Sequence, residues 1–183
     1  MCIRDRLNKG VESRHYSDSE LDSVSIFYLI NEITAKLELH CNNSRHIIVT
    51  EQSPDTSQLV FIDLNSLLQS LIFIFDNAVK YSDPTSPIDL KVEWNSKYIS
   101  FFMIDYGYGI QNEEVNHIFQ PFQRGYSSQI KDNIPRGAGI GLTIAKLLIE
   151  NDLDGSINLL YSGDGSTCFK ITIPANCEML GTE

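Results

Sequence analysis

The chain has 183 residues, enough for one domain with a sizeable core, and its 42% hydrophobic and 21% charged content is ordinary for a globular protein. Fourteen Lys and Arg against 24 Asp and Glu leave a net charge of −10, which argues against nucleic acid or an anionic membrane as the main partner. No apolar run approaches the ~20 residues of a membrane span. The four cysteines, Cys2, Cys41, Cys168 and Cys177, lack the spacing of a zinc site or a disulfide framework, which fits reduced thiols in a cytoplasmic protein.

Residues 1–22 are polar, of mixed charge and without periodicity, and are set apart as a disordered or linker remnant. The opening MCIRDR reads as an assembly scar, and this start suggests a fragment whose upstream part is missing. From Ser23 or Ser25 as N-cap a helix is expected, with Phe27, Ile30, Ile33 and Leu37 on one face and Asn42-Asn43-Ser44 as the turn that ends it. Ile47–Thr50 and Leu59–Ile62, split by a Ser-Pro-Asp loop, read as paired strands.

Asp63–Tyr81 carries Leu64, Leu67, Leu68, Leu71, Ile74, Phe75 and Ala78 at helical spacing, a broad apolar face. Its last turns bring Asn77, Lys80 and Tyr81 to one side, and Pro84 and Pro87 stop it. Leu90, Val92 and Trp94 alternate with charged residues as in a half-buried strand; Asn95-Ser96-Lys97 turns into a second, Tyr98–Ile104. Ser156–Tyr161 and Cys168–Ile173 flank SGDGST as a final hairpin, and 175–183 reads as a tail after a domain spanning 23–174. This order gives one α/β domain, a mixed sheet with helices packed on one face.

Between strand and hairpin lies the stretch that organises the rest. Asp105-Tyr-Gly107-Tyr-Gly109-Ile110 follows an apolar strand; Gly137, Gly139 and Gly141 alternate just ahead of Leu142–Glu150, which reads as a buried helix start. Alternating glycines before a helix leave backbone N–H groups to face an anion, with the helix dipole behind them. Between the clusters stand Ile118, Phe119, Pro121 and Phe122, then a polar segment, Gly125–Pro135.

This pattern resembles the ATP-binding catalytic domain of two-component sensor histidine kinases, within the gyrase–Hsp90–histidine kinase–MutL superfamily. The resemblance runs from about Val24 to Pro174. It matches DNAVKY to the family's N box, DYGYGI to its first glycine box, IFQPF to its Phe box and GAGIGL to its second glycine box. It implies a Bergerat-type two-layer α/β sandwich with a mixed, mostly antiparallel sheet, ATP and Mg²⁺ as cofactors, and a cytoplasmic location compatible with a membrane-anchored parent. It further implies γ-phosphoryl donation to a histidine on a separate phosphoacceptor-helix and dimerisation domain, with a response regulator downstream.

Residue by residue, the resemblance implies that Asp105 accepts a hydrogen bond from the adenine amine, with Gly107, Gly109, Ile110 and Thr167 around the base. Asn77 would ligate Mg²⁺, Lys80 would reach a phosphate and Tyr81 would cover the ribose or base. Gly137, Gly139, Ile140, Gly141 and Leu142 would line the phosphates. Arg124 and Arg136 would stabilise charge on the γ-phosphoryl group, and Gly125–Pro135 would be the nucleotide lid. For Phe119 and Phe122 a lid anchor and a plain core residue are both open, and SGDGST is equally a third glycine motif or a hairpin turn.

The four histidines, His15, His40, His46 and His117, lack the phosphoacceptor's sequence context, so that helix pair is expected to be absent. One departure stands out. Four residues before Asn77, where the kinases usually carry a second Asn and the superfamily's ATPases a water-activating Glu, this chain has Phe73. A phenyl ring is neither ligand nor general base, which argues against an autonomous ATP hydrolase. An anti-sigma-factor-type serine kinase and a non-catalytic nucleotide-binding module remain the rival readings.

Overall fold

The computed structural model describes residues 21–41, 47–51, 58–123, 138–163 and 165–175. Strand β1 (Asp22–Ser25) runs directly into helix α1 (Ile26–His40), whose first turn is capped by the Ser25 side chain accepting from the Tyr28 N–H. Ile26, Leu29, Ile30, Ile33 and Leu37 form its buried face. Phe27, expected on that face, is 61% exposed, because the stripe begins at Ile26 and the next residue lies about 100° further round the helix.

The long helix α2 (Leu64–Tyr81) is capped by Asp63, whose Oδ1 accepts from the Ser66 N–H at 3.0 Å. Leu67, Leu68, Leu71, Ile74, Phe75 and Ala78 are buried along it, the face its spacing predicts. The Ser66 hydroxyl stands between two carboxylates, 2.9 Å from Asp63 Oδ2 and 3.2 Å from Asp152 Oδ2, so its one proton serves one at a time.

Five strands make the main sheet, in the order β2 (Ile47–Glu51), β4 (Ile88–Trp94), β5 (Tyr98–Asp105), β7 (Ser166–Pro174), β6 (Ser156–Gly163). Only β2 and β4 run parallel. The expected pairing of the second and third strands does not occur. β2 lies along β4, Ile47 opposite Ile88, while β3 (Leu59–Ile62) pairs antiparallel with β1, Val60 opposite Val24. Two causes explain the difference. β1 is a short Asp-Ser-Val-Ser segment with no apolar run to announce it, and a parallel pair needs a long crossover, which α2 supplies.

On the sheet's inner face Ile88, Leu90, Val92, Trp94, Ile99, Phe101, Met103, Ile171 and Ile173 join one core with α1, α2 and Ala145 and Ile149 of the last helix. That helix, α3, runs from Gly141 to Leu147 and continues as one π-helical turn, Leu148–Asp152, a widening that the apolar pattern of Leu142–Glu150 did not announce. No described helix covers the outer face, where Phe102 lies between the ammonium groups of Lys91 and Lys170, each 5.2 Å from its ring centre. The hairpin of β6 and β7 is longer than expected and contains a bulge at Leu160. None of the described helices is long and apolar enough to cross a membrane.

Candidate nucleotide site

A cavity of about 500 Å³ opens between the last turns of α2, the end of β5 and the start of α3. At its floor β5 delivers Asp105 and β7 delivers Thr167, directly opposite each other in the strand register and 6% and 4% exposed. A carboxylate this deep at a strand end is costly unless hydrogen-bonded. α2 contributes Phe73, Asn77, Lys80 and Tyr81 to one wall, as predicted by the spacing of four from Phe73 to Asn77 and of three and four from Asn77 to Lys80 and Tyr81. The Lys80 ammonium lies 4.8 Å from the centre of the Tyr81 ring.

The adjoining wall is the entry to α3. Gly139, Ile140, Gly141 and Leu142 line it, and Gly139 holds φ = +71°, with a β-carbon there only 2.6 Å from the Gln123 carbonyl oxygen. The N-cap of α3 is Ile140, which has no polar side chain, so no described side chain caps the first-turn N–H groups. Such N–H groups can receive an anion. Gly109 and Ile110 complete the wall beside Thr167.

Two expected site residues stand behind the wall instead. Gly107 forms a β-bridge with Ser82, and the Tyr108 N–H donates to the Tyr81 carbonyl at 3.1 Å, which ties the loop after β5 to the end of α2. A β-carbon on Gly107 would collide with that carbonyl, so the close approach this glycine permits is between two backbone segments. Phe119 packs edge-on against Phe169, ring centres 6.2 Å apart, and its carbonyl accepts from the Thr143 hydroxyl at 3.0 Å. Phe122 is 76% exposed at φ = 65°, which removes the core reading for that ring; its N–H donates to the Gly139 carbonyl at 2.8 Å. Arg124, Arg136, Gly137 and the segment Gly125–Pro135 lie outside the described residues.

Sequence reasoning missed the acidic rim. Asp76, Glu113, Glu114 and His117 also line the cavity, against Lys80 as the Lys or Arg of the described wall. Burial pushes the Asp76 carboxyl above its ordinary range, partly opposed by His40 at 3.8 Å. Asp76 could have been found from its place beside Asn77. The other three lie where turns rather than a regular helix set the facing, with His117 N–H donating to the Glu114 carbonyl at 2.8 Å.

Residues 62–176 match the model of the histidine kinase-, DNA gyrase B- and HSP90-like ATPases, so the match takes in every described piece of the cavity. The chain belongs to that family. Within it the resemblance is to the histidine kinase members. Over 121 residues the domain is 36% identical to the sensor protein KdpD of Clostridium acetobutylicum, covering 66% of this chain and 13% of that one. Over 173 residues it is 29% identical to histidine kinase P4 of Formosa agariphila, covering 92% and 12%. The chain thus spans less than a sixth of the length of these two relatives. Among solved structures it superposes on a mycobacterial sensor histidine kinase, MprB, with a TM-score of 0.68 at 20% identity over 86% of this chain and all of that one. It superposes also on the catalytic domain of histidine kinase ThkA, with a TM-score of 0.67 at 22% identity over 85% and 96%. The fold is the Bergerat ATP-binding fold, and the domain is of the sensor histidine kinase ATP-binding catalytic type.

Proposed function

We propose that this domain binds Mg-ATP in the cavity and presents the γ-phosphate to a histidine on a separate dimerisation domain, with a response regulator taking the phosphoryl group on. The observation that carries the reading is the buried Asp105–Thr167 pair at the cavity floor, facing an uncapped helix N-terminus across a space of nucleotide size. Asp105 would accept from the exocyclic amine of adenine, and the N–H groups at Gly141 and Leu142 would meet phosphate oxygens. Lys80 would add one positive charge and Tyr81 an aromatic surface for the sugar. Arg124 and Arg136, on the chain between the Phe box and the second glycine box, would neutralise charge on the transferring group.

The donor set fits Mg²⁺ in a minimal way. Asn77 offers one hard side-chain oxygen on the wall, one turn from the apolar Phe73, and Mg²⁺ accepts few protein ligands when phosphates and water fill its octahedron. The ion would shield phosphate charge from Asp76, Glu113 and Glu114. Catalysis then rests on positioning and charge stabilisation, since Phe73 lines the cavity where the superfamily's hydrolases would carry their water-activating Glu. A domain that draws on ATP works in the cytoplasm.

The test is Asp105→Asn. A hydrogen bond to a charged acceptor contributes roughly 1.5–3 kcal/mol, so ADP affinity should fall tenfold or more in calorimetry, with a parallel loss of transfer to an added acceptor domain. Unchanged affinity would remove Asp105 from the site and the reading with it.

A further inference from the structure

We propose that Ser162 is a positioning residue for the base end of the nucleotide site, brought there by the bulge in β6. The proposal rests on the nucleotide reading above and deepens it. Along β6 the partners run Ile157 opposite Ile171 and Leu159 opposite Phe169, all on the core side. Strict alternation would turn residue 161 inward and residue 162 outward. The register instead shifts at Leu160, so that Tyr161 faces Cys168 and Ser162 faces Thr167. One extra residue therefore exchanges the two sides of the strand just before it ends, the kind of re-aiming for which bulges are found beside active sites.

The redirected hydroxyl is engaged on both sides. Ser162 Oγ accepts from the Ile110 N–H at 2.7 Å and lies 3.2 Å from Thr167 Oγ1. It joins the loop after β5, which carries Gly109 and Ile110, to the threonine opposite Asp105. The two backbones are already close: a β-carbon on Gly109 would stand 3.4 Å from both the Gly163 nitrogen and Ser162 Oγ. With the Ile110 N–H on one lone pair, the Ser162 hydroxyl still shares a hydrogen bond with the Thr167 hydroxyl, in which either can donate, and so fixes how Thr167 is oriented beside the cavity. Ser162 itself need not touch the ligand. Its effect passes through Ile110 and Thr167, both on the cavity wall.

The experiment compares the full chain with Ser162→Ala and Ser162→Thr by three measurements: hydrogen exchange at the Ile110 amide without ligand, urea stability, and affinity for ADP and inosine diphosphate. The inosine base carries an oxo group in place of the adenine amine, so the affinity ratio reports on the base end alone. Ser162→Ala should speed exchange at Ile110 at least tenfold and weaken ADP about fivefold to tenfold, the scale of one hydrogen bond. It should weaken inosine diphosphate less, which compresses the ratio, and Ser162→Thr should restore both. A variant that loses only urea stability while the ADP to inosine diphosphate ratio holds would make Ser162 structural and overturn the proposal. So would unchanged exchange at Ile110, a result independent of any nucleotide. Failure of the unaltered chain to bind ADP would instead strike the nucleotide reading first, and this proposal with it.

Discussion

Replacing Gly107 by alanine adds one methyl group where two backbone segments meet. The new β-carbon would collide with the Tyr81 carbonyl oxygen and stand 2.8 Å from both the Tyr81 carbonyl carbon and Asp105 Oδ1, where ordinary contact begins near 3.4 Å. The two Tyr81 atoms are backbone and cannot swing aside, and the third belongs to a carboxylate buried at the cavity floor. Relief requires the loop after β5 to withdraw from the end of α2, which breaks the Tyr108 N–H bond to Tyr81 and the Ser82–Gly107 bridge. Overpacking costs about 1–3 kcal/mol and a lost hydrogen bond about 1, so a destabilisation of about 2–4 kcal/mol is expected. Gly165→Ala is the control. It sits at φ = +80° with nothing within 4 Å of an added β-carbon, so only the left-handed backbone costs, about 1–2 kcal/mol. The single tryptophan, Trp94, is buried in the core and reports urea unfolding by its fluorescence. ADP binding separates the two variants further, because the Gly107 shift moves Asp105 and Tyr81 apart while Gly165 touches neither. A Gly107→Ala chain as stable as the control, with ADP affinity within twofold of the unaltered chain, would refute the reasoning.

Phe73→Asn should tighten Mg²⁺-dependent ATP binding and leave binding in chelator unchanged, since the ring lines the cavity one turn from Asn77; calorimetry with and without Mg²⁺ decides it. The stability loss should stay well below the ~3–5 kcal/mol of emptying a fully buried Phe site, because Phe73 is only half-buried, and a loss of that size would make it core. Tyr106 donates to Asp89 Oδ2 at 2.7 Å, and this bond, ahead of burial, pushes its hydroxyl up to about 12. A raised acid stabilises the fold below its unfolded value near 10 and loses that contribution as pH rises through 12, so Tyr106→Phe should flatten alkaline destabilisation and delete a late-appearing phenolate in an ultraviolet titration. Burial likewise pushes the Cys168 thiol up, so peptide mapping after thiol reagent at neutral pH should find it unmodified until the chain is unfolded; rapid labelling of the folded protein would contradict its buried position.

What could be read before the structure was whatever repeats locally. The apolar face of α2 follows from 3.6-residue spacing, and that spacing carried Phe73, Asn77 and Lys80 to one wall. Asp105 was legible because a strand ends on it, and Gly139 and Gly141 because they precede a helix. What escaped depends on partners distant in the chain. β1 has no apolar signature and exists because β3 lies beside it; β2 found β4 across an intervening helix. The role of Gly107 is set by a carbonyl at Tyr81, and that of Ser162 by an extra residue at Leu160. Neither follows from spacing within its own motif.

The π turn in α3 gives that helix two phases. Its first part shows Gly141 and Leu142 to the cavity and meets α2 at Phe73; beyond Leu148 it meets the same helix near its capped start, with Asp152 3.2 Å from the Ser66 hydroxyl. A uniform α-helix has one phase, and meeting either demand would rotate the other by up to about 100° per residue of mismatch. The wider turn absorbs that residue and acts as a clutch between two faces of one rod. Each end can then keep its own contact with α2, Gly141 beside Phe73 and Asp152 beside Ser66.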